Sequence, residues 1–358
     1  MADRKLRIMF LLPGITKSPI GGFKVVFEYA NRLARDGHHV SIAYAGIIPR
    51  EYVRKPFIEK LATLKRLIPG FRENSCRCWF ELDRSVKELY PVTLSYKPSM
   101  DADVYIATAC TTTKYLLGYP ARSKKIYLIQ GYEDWSMTAH ELNETYAYPF
   151  HKIVISNWLH RLLSERGFES TVVPNGFDEK QYHLTIPIKE KKRLQVSVLY
   201  HIAPLKGFRV ALEALRMVRE HYDIHVTAFG ANSPTEALPA WMDFHLSPSP
   251  EEHLRINNES ALFIASSFSE GWGLTIGEAM MCGQAVVCTD TKGFLEMAIH
   301  GHNALVVPVG DAKAMAEAII TLLDDNALRC RLAQQGLEDI RKFNIEESYM
   351  KFRQIIEE

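Results

Sequence analysis

The sequence has no surplus of charge of either sign. Its 358 residues hold 43 Lys and Arg against 42 Asp and Glu, a formal net charge of +1. A dedicated nucleic-acid binder shows a basic excess, so no nucleic-acid partner is expected. Long apolar runs are missing too, and no stretch approaches the ~18 residues that a membrane-spanning helix requires. Basic residues precede the stretch Ile8-Met9-Phe10-Leu11-Leu12, but it is short and lacks a small-residue cleavage site. It reads as a first strand rather than a leader. Cysteine is sparse and scattered (Cys76, Cys78, Cys110, Cys282, Cys288, Cys330), which suits reduced thiols in a cytoplasmic protein better than a disulfide framework. Cys76-Arg77-Cys78 lacks the second ligand pair that a zinc site usually carries, so both read as structural thiols. What remains, 47% hydrophobic and 24% charged, is an ordinary globular composition long enough for about two domains.

Short β-branched runs alternate with helical patterns. Strands are expected at Arg7 to Leu12, Val40 to Tyr44, Val104 to Thr108, Ile126 to Gln130 and Ile153 to Ser156, with a helix over Phe23 to Arg35. The pattern then restarts. Strands are expected at Gln195 to Tyr200, Ile224 to Phe229, Leu262 to Ala265 and Ala285 to Cys288, with a helix over Phe208 to Val218. Interleaved strands and helices predict an α/β protein with parallel, doubly wound sheets. Between the two series lies the turn signal Pro174-Asn175-Gly176, followed by the charged run Lys189-Glu190-Lys191-Lys192-Arg193. We read 174–193 as a hinge with a solvated linker. Ligands in such folds bind at the carboxyl ends of the strands.

The most informative stretch runs from Ser269 to Val287. It reads as a glycine-rich loop, a helix start, a short helix, a Gly stop and another strand. Gly271 and Gly273 allow close backbone approach to a ligand, and the amides of Leu274 and Thr275 at the helix start favour an anion such as a diphosphate. Two blander readings compete. Thr275-x-x-Glu278 is a capping-box spacing, and Glu270 alone reads as a surface carboxylate beside a turn.

Glu270-Gly271-Trp272-Gly273-Leu274 followed by Glu278-Ala279-Met280-Met281-Cys282-Gly283 resembles the signature of glycosyltransferase family 4. Gly21-Gly22, Val173-Pro174-Asn175-Gly176-Phe177-Asp178, Lys206-Gly207 and Gly301 to Pro308 extend the likeness along the chain. The resemblance implies a GT-B fold of two Rossmann-like domains and a retaining enzyme that uses a nucleotide-sugar donor. It implies an acceptor-binding domain over 1–173, a donor-binding domain over 174–335 and a last helix (336–358) packing back on the first domain. It carries over a donor-sugar contact to Glu270, a ribose contact to Glu278 and the leaving diphosphate to Lys206.

Two departures stand out. The family's usual Arg five residues before the Lys is His201 here, and Arg209 is a candidate for the missing cation. The family's donor-facing His loop in the first domain corresponds to Gln130-Gly131-Tyr132-Glu133-Asp134-Trp135, similar to a loop in members that transfer rhamnose. Base recognition is placed near Gly230 to Ser233. Asp101-Ala102-Asp103 precedes its strand, away from the ligand edge, so no metal or other cofactor is expected and Lys206 with the helix start does the electrostatic work. Residues 50–72 carry seven basic residues with interleaved apolar ones. They suit either a helix with a solvated face or a peripheral membrane contact. The expected reaction moves a sugar from a UDP-, dTDP- or GDP-linked donor to a glycan or lipid-linked acceptor in polysaccharide biosynthesis. A nucleotide-sugar epimerase, a phosphorylase and a non-catalytic sugar-nucleotide-binding subunit are the alternatives.

Overall fold

The computed structural model describes residues 5–48 and 76–358. The basic stretch 50–72 lies outside them. The polypeptide divides into two compact units, residues 1–174 with 349–358, and residues 175–348.

The first unit holds a seven-stranded sheet. Its strands are β1 (Arg7–Leu12), β2 (His39–Tyr44), β3 (Lys87–Leu89), β4 (Val104–Ala107), β5 (Lys124–Ile129), β6 (His151–Val154) and β7 (Thr171–Val172). They lie in the order β3-β2-β1-β4-β5-β6-β7, every pair parallel. The second unit holds β8 (Lys192–Leu199), β9 (His225–Gly230), β10 (Met242–Leu246), β11 (Ser260–Ala265), β12 (Ala285–Thr289) and β13 (Ala304–Val307). Their order is β10-β9-β8-β11-β12-β13, again all parallel. Parallel strands are covered on both faces, which is why Ile8 to Leu12 and Ala261 to Ile264 are continuously buried and apolar. Each sheet reverses its strand order once, between β1 and β4 and between β8 and β11. The carboxyl ends flanking those reversals are where such sheets receive ligands.

The segment read as a hinge and linker is anchored to the second unit by buried residues at intervals along an otherwise exposed stretch. Asn175 and Phe177 are buried, the Phe177 amide donates to Phe343 O (2.8 Å), and the Ile345 amide donates to Phe177 O (3.2 Å). A methyl on Gly176 would lie 2.3 Å from Ile345 Cα, so only glycine fits there. Nor is the charged run solvated throughout, because Lys191 is only 5% exposed. Its ammonium donates to the carbonyls of Asn257, Asn258 and Ser260, where the helix Pro250–Glu259 ends and β11 begins. Burial lowers its pKa to about 8.

The second unit also runs past the expected boundary at 335. Leu332, Ala333 and Leu337 of the helix Asn326–Ile340 are part of its core, and the return to the first unit begins at Tyr349. There the last helix (Ile345–Glu357) stacks Phe352 on Tyr29, ring centroids 4.3 Å apart. Tyr349 Oη and Arg353 Nη1 both donate to Asp36 Oδ2, at 2.5 and 3.1 Å.

Asp101 and Asp103 occupy the amino end of β4. Arg7 donates to Asp101 Oδ2 (3.0 Å) and Asp103 Oδ1 (3.0 Å), and Arg122 donates to Asp101 Oδ1 (2.8 Å). Their partners are arginines at the sheet edge opposite the ligand ends. None of the six cysteines is in a disulfide, and Cys76 and Cys78 donate to the carbonyls of Thr16 and Lys17 (3.5 Å each). No helix among the described residues is long and apolar enough to cross a membrane.

Candidate functional site

The second unit's strand reversal brings two loops together. After β8, Pro204–Lys206 forms a single 3-10 turn, and Gly207 takes a left-handed φ of 68° before the helix Phe208–Arg219. After β11 come Ser266, Ser267, Phe268, Ser269 and Glu270. The loops are laced by Ser266 Oγ donating to Gly207 O (2.9 Å) and by the Phe268 amide donating to Leu205 O (2.8 Å). A methyl on Gly207 would lie 1.9 Å from Ser266 O, so glycine is required by close approach as well as by φ. The result is an ion pair. Lys206 Nζ donates to Glu270 Oε1 at 2.7 Å, with Glu270 nearly buried and Lys206 partly exposed.

His201 stands in the same loop. Its Nδ1 accepts from the Ala203 amide (2.9 Å), so the neutral ring carries its proton on Nε2. Burial, reinforced by the charge of Lys206 and opposed by Glu270, holds its pKa below the ordinary histidine value. The site thus pairs one permanent cation with one neutral donor. Arg209 is not brought to the pair. It is highly exposed and donates to Glu236 (2.9 Å).

The glycine-rich loop is built by close packing. Gly273 has φ of 98° and is the N-cap of the helix Leu274–Met281, and a methyl on it would lie 2.4 Å from the Phe294 ring. Leu274 and Thr275 therefore occupy the first turn, whose amides lack intrahelical acceptors. With the cap at Gly273, Thr275 already lies inside the helix and has no capping bond, so the capping-box reading falls. Glu278 is buried further along this helix. Trp272 turns its ring into the unit, edge-on to Phe343 with centroids 5.0 Å apart and only 3% exposed. Gly271 lies between it and Glu270. Gly230 closes β9 against the loop after β8, since a methyl there would lie 2.3 Å from Tyr200 O.

Two contributors escaped the sequence reading. Ser267 Oγ donates to Glu270 Oε1 (2.7 Å), and Gly293 lets the loop after β12 press on the Glu270 main chain. The hydroxyl-rich run Ser266-Ser267-Phe268-Ser269 was the available signal for Ser267. Gly293 carried none, because its neighbour is 23 positions away.

The first unit's reversal is furnished differently. Gly21 and Gly22 open the helix Gly21–Arg35 without a side-chain cap, and a methyl on Gly22 would lie 3.3 Å from both Gln130 side-chain heteroatoms. Gln130 Oε1 is buried with no hydrogen-bond donor among the described residues. Glu133 accepts from the Cys110 amide (2.5 Å), and the Arg166 guanidinium sits 5.9 Å from the centre of the Tyr132 ring.

Residues 179–339 match the family model described as glycosyl transferases group 1. The phosphatidyl-myo-inositol mannosyltransferase of Mycobacterium leprae is 26% identical over 210 residues, covering 54% of this chain and 55% of that protein. The N,N'-diacetylbacillosaminyl-diphospho-undecaprenol alpha-1,3-N-acetylgalactosaminyltransferase of Campylobacter jejuni is 31% identical over 152 residues, covering 41% and 40%. The chain thus aligns with about half the length or less of these relatives. Solved structures align over nearly the whole chain. Sucrose-phosphate synthase from Thermosynechococcus elongatus superposes with a TM-score of 0.75 at 16% identity, covering 98% of each chain. The Anabaena protein HepE, solved with UDP and glucose, superposes with a TM-score of 0.71 at 16% identity, covering 98% of this chain and 99% of that one. The fold is GT-B.

Proposed function

We propose, from the premise that residues 179–339 belong to the glycosyl transferases group 1 family, that the protein is a retaining glycosyltransferase. It transfers a hexose or deoxyhexose from a nucleoside-diphosphate donor to a glycan or lipid-linked acceptor, without a metal ion. The second unit binds the donor and the first the acceptor. The observation that carries this reading is the Lys206–Glu270 ion pair at 2.7 Å, which joins two loops at a strand reversal, the Glu270 loop running on into the Gly273 helix start.

The chemistry follows from charge. Breaking the bond between the anomeric carbon and the phosphate leaves negative charge on the diphosphate. Lys206 and the first-turn amides of Leu274 and Thr275 stabilise that charge as it develops. Glu270 orients the sugar through its hydroxyls, Glu278 the ribose, and the backbone near Gly230 the base. Gly22, Gln130 and the Tyr132-Glu133 loop orient the acceptor, which attacks the face the diphosphate leaves. The undecaprenol-linked acceptor in the name of the Campylobacter jejuni relative supports a lipid-linked acceptor, and the UDP bound by HepE supports a nucleotide donor.

Calorimetry with UDP, dTDP, GDP and ADP, with and without a chelator, tests the reading. Micromolar binding of one nucleotide, indifferent to the chelator, is expected, followed by transfer with the anomeric configuration kept. Inversion, or a requirement for a divalent ion, overturns the mechanism. The neutral His201 favours a second reading, a subunit that binds sugar nucleotide without turning it over. Binding without turnover against a panel of glycan and lipid-linked acceptors would select it.

A further inference from the structure

The Glu270 carboxylate is fastened at one oxygen. Lys206 Nζ and Ser267 Oγ both donate to Oε1, each at 2.7 Å, while among the described residues no side chain donates to Oε2. Ser267 is itself fixed. It is 4% exposed, and its carbonyl accepts from Thr289 Oγ1 (2.6 Å), a fully buried hydroxyl at the carboxyl end of β12. The Glu270 main chain is held from the other side, since a methyl on Gly293 would lie 2.5 Å from Glu270 O.

From this arrangement we infer that Ser267 is a positioning residue for Glu270, with Thr289 supporting it from behind. Two donors on one oxygen fix the rotation of the carboxylate and divide its work. Oε1 is held by the protein, and Oε2 accepts from a hydroxyl of the donor sugar. Ser267 matters most once ligand is bound. The flexible Lys206 ammonium is then drawn toward the arriving diphosphate, and Ser267 becomes the remaining hold on Oε1. The inference rests on the role proposed above for Glu270.

The test uses the full chain, with Ser267→Ala, Ser267→Thr and Thr289→Val beside wild type. Each is titrated calorimetrically with the preferred nucleoside diphosphate and with its nucleotide sugar, then assayed for turnover and melted without ligand. In Ser267→Ala the diphosphate affinity stays within about twofold. Nucleotide-sugar affinity or kcat falls by on the order of tenfold to a hundredfold, the range for a hydrogen bond to a charged group. Ser267→Thr, which keeps the hydroxyl, recovers most of the loss. Thr289→Val moves the same way by less, and carries the test should Ser267→Ala fail to fold. Unchanged sugar affinity and kcat overturn the inference, as does an equal loss for diphosphate and nucleotide sugar, which marks a purely structural serine. A wild type that binds no nucleotide sugar overturns the parent reading and this one with it. A wild type that turns over beside an unaffected Ser267→Ala overturns this one alone.

Discussion

The two sheets share one strand order over six strands, the first adding β7 at its edge, yet their reversals carry different chemistry. At the second, a lysine, a carboxylate, a hydroxyl and a left-handed glycine converge within two laced loops. At the first, a glycine helix start faces a glutamine amide, and the nearby carboxylate of Glu133 is taken up by a backbone N–H. Topology therefore supplies a place for a ligand twice, and side chains decide what that place accepts. Fixed charge suits a phosphorylated ligand. A neutral amide whose buried oxygen has no donor among the described residues suits the hydroxyls of a sugar.

The sharpest way to break this contrast is to delete the charge. Lys206→Ala is expected to lower kcat by about a hundredfold to a thousandfold, the usual loss when one preorganised stabiliser of a developing oxyanion is removed. Glu270→Ala should match or exceed it, with melting temperatures close to wild type. Gln130→Ala in the first unit should cost about tenfold or less, read mainly as a higher acceptor KM. Steady-state kinetics with both substrates varied check all three. Equal losses at Gln130 and Lys206 would erase the division of labour.

Glycine substitutions sharpen the comparison at the level of packing. Gly207→Ala must hold a positive φ and collide with the Ser266 carbonyl, so about 3 kcal/mol of stability is expected to go. That lowers the melting temperature by roughly 6–12 °C in a unit of this size. Gly22→Ala meets only the movable end of Gln130 at 3.3 Å and should cost about 0.5 kcal/mol or less. Its effect should appear in acceptor KM instead. Thermal melts of the two variants separate these outcomes.

The elements that were legible in advance are those written in consecutive residues. β1 ends where the apolar run ends, and the helix Phe208–Arg219 follows its 3.6-residue pattern to within one residue. The edge strands β3, β7 and β10 were not legible. They are short, and Lys87, Glu88, Asp243 and His245 break the apolar pattern. The charged run around Lys191 misled because burial there depends on carbonyls 66 to 69 positions away, which no local pattern encodes. The Thr275-x-x-Glu278 spacing misled for a related reason. A helix start is set by backbone conformation, and the left-handed Gly273 places it ahead of Thr275. In the site, Lys206 and Glu270 were legible by resemblance. Their supports, Ser267 and Gly293, act through contacts that exist only once the loops are folded together.

The remaining expected effect concerns His201, the histidine of the charged reversal. At neutral pH His201 offers an Nε2 proton but no charge, because burial and Lys206 hold its pKa below the ordinary value near 6.5. His201→Arg adds a permanent cation there. Nucleoside-diphosphate affinity at pH 7.5 should then rise about fivefold, close to 1 kcal/mol for a partly exposed charge pair. An anionic ligand favours the protonated imidazole, so lowering the pH through the His201 titration strengthens binding to wild type only. The phosphate itself also titrates near pH 6, and it does so for both proteins. The informative quantity is therefore the ratio of the two affinities, measured calorimetrically from pH 7.5 to pH 5. It should fall toward unity as His201 takes up its proton. A ratio that stays flat would mean that the ring faces no phosphate, leaving Lys206 and the helix start to hold the diphosphate by themselves.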